Sequence, residues 1–277
     1  MLRFLLPVLA CALLLVGLAP VASAAERDTA VGAAAGAPVD YVALGDSYAA
    51  GVGAAPDGSS GDCRRSERSY PARFAAATDP ATFVSVACSG ATAGQVLLRQ
   101  VRTVSRQTDL VTITVGGNDT GFAPVMGLCS TVRKDEDCER AVRGGERAAR
   151  YLVPVGLTAI IAAAKVQSPT ARIVVLGYPR LFAPGEACDV ALVPNAARRA
   201  SLNRAADTLN ASLRATATRF GARFADVSGA FAEHGVCSAD PWINGPSAPQ
   251  ATGNYHPTRV GYARGYLPAL RSAAPRT

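Results

Sequence analysis

Four short segments of this sequence carry the side chains that are best suited to chemistry. In chain order they are Gly45-Asp46-Ser47-Tyr48, Cys88-Ser89-Gly90, Gly116-Gly117-Asn118-Asp119 and His256-Pro257. A serine hydroxyl beside a histidine base can act as a nucleophile. Backbone N–H groups and a carboxamide can stabilise the oxyanion of a tetrahedral intermediate. Together, these residue types indicate acyl transfer.

The first three segments each follow a short apolar run, at 41–44, 82–87 and 110–115. In an open parallel sheet, ligands bind at the carboxyl ends of the strands. The histidine precedes a C-terminal helical pattern, and Pro257 suits a first helical turn. The sequence therefore predicts that the four segments meet at one edge of a sheet, where a helix N-terminus favours negative charge.

In this order, the four segments resemble the four blocks of the SGNH (GDSL) hydrolase family, over about residues 39–272. The resemblance implies Ser47 as the nucleophile and His256 as the base. It also implies an oxyanion hole formed by the Ser47 N–H, the Gly90 N–H and the Asn118 side-chain amide.

A narrower resemblance comes from Gly177-Tyr178-Pro179, from Asp240-Pro241-Trp242-Ile243-Asn244-Gly245 and from six cysteines. These features look like the secreted actinobacterial lipase, esterase and phospholipase A1 branch. The branch implies ester hydrolysis through an acyl-enzyme, with no cofactor. Apolar residues at 121–126 and 182–184 are expected to line an acyl groove, which favours lipid esters. Phospholipase A1 and carbohydrate acetyl esterase are the alternative enzymes, and a secreted flavodoxin-like binding protein is the non-enzyme alternative.

The group that orients the histidine departs from the commonest family pattern. Family members usually carry Asp three residues before the histidine, but Gly253 stands there, and no Asp or Glu follows Asp240. We therefore expect a Ser47–His256 dyad in which the backbone carbonyl of Asn254, or of a close neighbour, accepts the Nδ1–H bond. Asp240 is the carboxylate alternative, although its Asp-Pro-Trp context favours a turn role.

The remaining polar residues near these motifs have simpler expected roles. Asp46 should brace its turn, and Asp119 should cap or brace the third loop. His234 is the only other histidine; it has no motif around it, and we expect a surface or capping position. Trp242, the single tryptophan, is expected to pack beside the site.

Cysteine usage indicates disulfides in an oxidising compartment. Apart from Cys11, the chain has an even set of cysteines, for which fifteen pairings exist. The family branch implies sequential pairing, and the middle pair flanks a short polar loop; the pairs are Cys63–Cys88, Cys129–Cys138 and Cys188–Cys237. A zinc site is disfavoured because the chain lacks Cys-x-x-Cys and has only two histidines.

The N-terminus has the pattern of a secretory signal peptide. A charged Arg3 precedes an apolar stretch at 4–18 and the small residues Ala22-Ser23-Ala24. The stretch is shorter than the ~20 apolar residues of a spanning helix. We expect a signal peptide at 1–24, a secreted extracellular enzyme and one hydrolase domain at 39–277.

The formal net charge is +7, which is compatible with anionic partners such as phospholipid surfaces. The arginines are scattered, and aromatic residues do not alternate with them as they do in a nucleic-acid platform. We expect a monomer that binds a small-molecule or lipid ester, makes transient contact with lipid surfaces and does not bind nucleic acid.

Short apolar runs alternate with helical patterns along the rest of the chain. This alternation predicts right-handed βαβ units and an α/β fold with a parallel sheet. The family resemblance adds a three-layer α/β/α flavodoxin-like architecture with five strands in the order 2-1-3-4-5. The expected strands lie near 39–44, 82–87, 110–115, 172–177 and 223–227, and the clearest helices near 148–167, 195–220 and 258–272.

Overall fold

Five strands form a single parallel sheet in the order β2-β1-β3-β4-β5. The computed structural model describes residues 39–55, 60–185, 187–246 and 253–274, so the expected signal peptide lies outside the described residues. The predicted α/β fold and strand order are confirmed. The strands are β1 (Asp40–Gly45), β2 (Thr82–Ser85), β3 (Leu110–Thr114), β4 (Arg172–Leu176) and β5 (Arg223–Ala225).

The central strands are buried along almost their whole length because both faces of the sheet are covered. Every residue of β3 is buried, as are all residues of β1 and β4 after the first. In the β1–β3 register, Gly45 pairs with Thr114, so these two strands end level with each other. The loops that follow them, which carry Ser47 and Asn118, therefore start from the same edge.

Helices form two groups that cover the sheet. The helices α2 and α7 pack against each other, whereas α3, α4 and α6 pack against α5 or beside it. The helices are α1 (Ser47–Ala50), α2 (Tyr70–Thr78), α3 (Ala93–Gln95), α4 (Phe122–Thr131), α5 (Asp135–Gln167), α6 (Ala196–Arg219) and α7 (Leu267–Ala273). A π-helical segment, Val96–Gln100, continues α3, and a second, Gly261–Tyr266, leads into α7.

The helix expected near 148–167 is the second half of a longer one. This longer helix is α5. The solvent-facing side of its first three turns is polar, and each of these turns buries only one residue; the three are Cys138, Val142 and Glu146. Acidic residues occupy its first turn, where the helix dipole favours negative charge. By length and composition α5 could also cross a membrane. However, Val153, Leu157 and Ile160 are buried in the core, which is the pattern of a packed core helix.

Three disulfides join the six cysteines of the described ranges in sequential order. They link Cys63 to Cys88, Cys129 to Cys138 and Cys188 to Cys237. The first attaches the segment after α1 to the loop after β2. The second joins α4 to α5, next to the cavity described below.

Candidate active site

Ser47 lies at the first position of α1, on a sharp turn after β1. Gly45 has φ of +135°, and a Cβ there would lie 2.3 Å from the carbonyl oxygen of Thr114, so only glycine fits. The next residue, Asp46, donates its N–H to that same carbonyl at 2.9 Å and caps the helix by accepting the Tyr48 N–H. The serine is thus held at the carboxyl edge of the sheet.

The structure brings His256 into contact with Ser47. The two side chains are buried, and His256 Nε2 lies 2.7 Å from Ser47 Oγ. On the other side of the ring, Nδ1 lies 2.8 Å from the carbonyl oxygen of Asn254. A neutral imidazole with its proton on Nδ1 can donate to this carbonyl, which leaves Nε2 free to accept the serine proton.

The environment keeps His256 neutral. Burial is the main cause that lowers its pKa from 6.5 to about 4, and the positive charge of Arg64 acts in the same direction. The hydrogen bond to the Asn254 carbonyl opposes this shift. At neutral pH the imidazole is therefore present as a base.

The loops after β2 and β3 are tied together. The Asn118 side chain donates one amide hydrogen bond to the Ala91 carbonyl at 3.0 Å. Asp119 accepts the Ala93 N–H at 3.0 and 3.1 Å. Gly90, with φ of +78°, lies on the same loop, directly before Ala91. Both predicted oxyanion donors beyond Ser47 therefore belong to one hydrogen-bonded unit, and Asp119 braces it.

Two residues that sequence reasoning did not assign to the site hold its loops. The Tyr178 hydroxyl donates to Asp46 at 2.5 Å and accepts the Gly117 N–H at 3.1 Å. The Gln100 side chain forms two hydrogen bonds with the backbone of Gly45, at 2.7 and 2.9 Å. Tyr178 follows β4 at the active edge of the sheet and belongs to the Gly177-Tyr178-Pro179 motif, but neither signal assigned it this role.

Asp240 does not contact His256. Its carboxylate accepts the Trp242 indole N–H at 3.1 Å, and its carbonyl oxygen lies 2.8 Å from His234 Nδ1. His234 stacks on Trp242 with the ring centroids 3.7 Å apart. These three residues form a separate cluster, as expected for a turn aspartate and a histidine outside the site.

A cavity that is open to solvent is lined by Ser47. Asn118 also lines this cavity, and most of the other lining side chains are apolar. From the two stretches that were expected to line a groove, Phe122, Val125 and Met126 contribute, but 182–184 does not, because Phe182 points into the core. The other apolar lining residues are Val142, Leu181, Leu202, Ala205, Ala206 and Leu209.

Within the described ranges, no group of three or more His, Cys, Asp or Glu side chains is arranged to hold a metal ion. The groups around Ser47 instead provide a base, amide donors and an apolar cavity. This arrangement can carry out nucleophilic attack on a carbonyl carbon.

Comparison with known proteins agrees with this chemistry. Residues 43–264 match the sequence model of the GDSL-like Lipase/Acylhydrolase family. A lipase from Streptomyces rimosus is 43% identical over 235 residues, which cover 84% of this chain and 86% of the relative.

The solved structures that resemble this one include two from Streptomyces. The extracellular lipase from Streptomyces rimosus superposes with a TM-score of 0.81 at 43% identity, covering 85% of this chain and 100% of that chain. Phospholipase A1 from Streptomyces albidoflavus NA297 has a TM-score of 0.82 at 40% identity, covering 86% and 100%.

Proposed function

This chain belongs to the GDSL-like lipase/acylhydrolase family and is a carboxylic ester hydrolase, and on that premise we propose that Ser47 and His256 are its catalytic dyad. The observation that carries the proposal is the 2.7 Å contact between His256 Nε2 and Ser47 Oγ. Asn254 supports it, because its carbonyl accepts from Nδ1 and fixes the tautomer. Membership of a hydrolase family disfavours the binding-protein alternative.

In the proposed reaction, His256 takes the proton from Ser47 Oγ as the oxygen attacks the ester carbonyl carbon. The carbonyl π electrons move to oxygen, and a tetrahedral oxyanion forms. When it collapses, the ester C–O bond breaks, and the alcohol leaves with the proton from His256. Water then attacks the acyl-enzyme with the same histidine as base, and this step releases the acid and restores Ser47.

Three donors are proposed for the oxyanion: the N–H groups of Ser47 and Gly90 and the side-chain amide of Asn118. One amide hydrogen of Asn118 is used by the Ala91 carbonyl, which fixes the orientation of the side chain. The second hydrogen is then available to the substrate. A donor of this kind contributes roughly 3 kcal/mol to transition-state stabilisation.

The proposed substrates are lipid esters. The apolar walls that α4, α5 and α6 contribute to the cavity suit an acyl chain, and they extend further than an acetyl group requires. This feature disfavours a carbohydrate acetyl esterase. Phospholipid esters are the second candidate, supported by the 40% identity to a phospholipase A1.

The enzyme is further proposed to be secreted as a monomer after removal of residues 1–24, with 39–277 as its hydrolase domain. The three disulfides and the extracellular relative support secretion. N-terminal sequencing of the protein in culture medium tests the cleavage site. A mature chain that retains Met1 would contradict it.

Ser47→Ala tests the catalytic assignment, with Ser89→Ala as the matched control on the neighbouring loop. We expect loss of ester hydrolysis in the first variant and near-normal rates in the second, with unchanged folding in both. Full turnover by Ser47→Ala would overturn the assignment.

The substrate class is tested by rates on p-nitrophenyl acetate, p-nitrophenyl octanoate and phosphatidylcholine, measured side by side. A preference for the acetate would contradict the proposal that the substrates are lipid esters.

A further inference from the structure

Four large apolar side chains project into solvent from one helical layer. They are Leu98, Tyr151, Leu152 and Val155, which are 76, 69, 63 and 70% exposed. We call these four residues the apolar patch. A single exposed apolar residue on a soluble protein needs no explanation, but a cluster marks a surface that meets a partner.

The patch is spread over two adjoining elements. The residues at 151, 152 and 155 lie within about one turn of α5. Leu98 lies on the π-helical segment that follows α3, and this segment packs beside α5. The close approach occurs at Gly156, where a Cβ would lie 2.5 Å from the Cβ of Ala93.

Folding does not account for these exposed side chains. The opposite face of α5 already packs into the core through Val153, Leu157 and Ile160, which are buried. Helix formation would be equally well served by polar residues on the outer face, since Gln and Glu have similar helix propensities to Leu. The apolar patch therefore has a role outside the fold.

The exposed charged side chains around the apolar patch are positive. No Asp or Glu occurs from 147 to 185 or from 80 to 108, and the nearest acid on α5, Glu146, is buried. Arg99, Arg147 and Arg150 are exposed on these elements, and the exposed Arg102 lies on the short 3-10 helix Val101–Thr103 that follows. Of these arginines, Arg150 lies 3.9 Å from the carboxylate of Glu146. Apolar side chains that are bordered by exposed cations, with no exposed acid in these two segments of the chain, have the chemistry of a surface that binds anionic lipid.

We propose that the apolar patch docks this enzyme on an anionic lipid surface, with its four side chains among the acyl chains and the bordering arginines at the phosphate groups. The inference rests on the proposed function in one respect, since an enzyme for lipid esters has to reach aggregated substrate. A second copy of the chain is a poorer occupant, because two identical positive borders would repel each other.

The docking surface and the cavity share α5. Val142 and Gly145 on this helix line the cavity, less than three turns before the patch. Ala93, which contacts Gly156, is held by Asp119, the neighbour of Asn118. Docking thus retains the catalytic unit at the lipid surface without changing it. The consequence is an effect on KM for lipid in vesicles and no effect on soluble esters.

Sedimentation with sucrose-loaded vesicles tests the proposal. Vesicles of equal parts phosphatidylcholine and phosphatidylglycerol are compared with phosphatidylcholine alone, in a Ser47→Ala background so that no lipid is hydrolysed. We expect binding to the anionic vesicles and at least tenfold weaker binding when Tyr151→Gln and Val155→Gln are combined. Arg147→Gln with Arg150→Gln should weaken binding severalfold and reduce its salt dependence.

The matched control combines Val190→Gln with Leu192→Gln, which also removes two exposed apolar side chains, but outside the apolar patch. In the active enzyme, the patch variant should raise KM on vesicles while kcat and the rate on p-nitrophenyl acetate stay unchanged. The proposal would be overturned if the patch variant bound anionic vesicles as well as the wild type does. It would also be overturned if the wild type bound neutral and anionic vesicles equally, or if it formed a dimer that the patch substitutions dissociate. Because binding is read without turnover, failure of the catalytic assignment would appear separately, in the Ser47→Ala rates.

Discussion

The hydroxyl of Tyr178 joins the buried carboxylate of Asp46 to the loop that carries Asn118. It donates to Asp46 Oδ2 at 2.5 Å and accepts the N–H of Gly117 at 3.1 Å. One phenol therefore connects the turn of the proposed nucleophile with the loop of a proposed oxyanion donor. Burial raises the pKa of Asp46 to about 7, although the hydrogen bond from Tyr178 opposes this rise.

Tyr178→Phe is expected to impair both stability and turnover. The variant removes the hydrogen bond that Asp46 Oδ2 accepts from Tyr178 and leaves the Gly117 N–H without that acceptor. This loss costs about 1–3 kcal/mol of unfolding free energy. The kcat should fall roughly ten- to hundredfold because the loop of Asn118 loses its anchor, while KM changes little. Urea denaturation and steady-state kinetics measure the two effects.

Tyr41→Phe is the control for this prediction. It removes an equally buried hydroxyl, which is bonded to Thr112 Oγ1 at 2.8 Å within the sheet and has no contact with the site. It should lower stability by a similar amount and leave kcat intact. Equal kcat losses in the two variants would argue against a positioning role for Tyr178.

Ester hydrolysis should persist under acid conditions in which many histidine-dependent enzymes lose activity. The pKa of His256 is lowered to about 4, chiefly by burial, so the neutral base is present above that pH. The acid limb of kcat/KM, measured on a soluble ester, should therefore have its midpoint near pH 4. A midpoint close to 6.5 would show that the histidine is more accessible to water than its position indicates.

Asp46 and His256 have opposite effects on how stability changes with pH. The pKa of Asp46 is raised in the fold, so its contribution is present below its usual 3.8 and is lost as the pH rises through about 7. The pKa of His256 is lowered, so its contribution is present above 6.5 and is lost as the pH falls towards 4. Between these limits the two contributions compensate each other.

Asp46→Asn should expose the contribution of His256. In this variant the unfolding free energy is expected to fall by about 1.4 kcal/mol for each pH unit between pH 6.5 and 4, whereas the wild type changes less. Urea denaturation at a series of pH values measures the slopes. Parallel curves for the two proteins would contradict the assignment of a raised pKa to Asp46.

Asp240 can be tested directly as the alternative acid. Its carboxylate contacts Trp242 instead of His256, so Asp240→Asn should change ester hydrolysis only a fewfold. His256→Ala should abolish most of the rate because it removes the base. If both variants lost several orders of magnitude with intact folding, the backbone-oriented dyad would be wrong.

The Cys63–Cys88 disulfide is expected to support the site as well as the fold. It closes a separation of 25 residues, and the Ser89 N–H donates to the Cys63 carbonyl directly before Gly90. Replacing both cysteines by serine should cost about 3 kcal/mol of stability and lower kcat. The corresponding change at Cys188 and Cys237 should lower stability with a smaller effect on kcat, and the reverse ranking would count against this role.

The sequence was sufficient for the strands because each is a short apolar run followed by a turn residue. It was insufficient for α4, which is short and buries only Met126 and Cys129. It was also insufficient for the first half of α5, where buried residues are sparse and polar ones face solvent. At the site, local motifs were enough to select Ser47 and His256 as candidates, and the structure places their side chains 2.7 Å apart. Tyr178 contacts Asp46, which lies 132 residues earlier in the chain, and Gln100 contacts Gly45, which lies 55 residues earlier. No local sequence pattern encodes such distant contacts.

Labelling with a fluorophosphonate tests the central claim most directly, because this reagent reacts only with an activated serine. After digestion and peptide mapping by mass spectrometry, we expect one adduct, on Ser47, and loss of esterase activity in proportion to labelling. His256→Ala should remain unlabelled. An adduct on a different serine, or full activity in enzyme that carries the label on Ser47, would contradict the account.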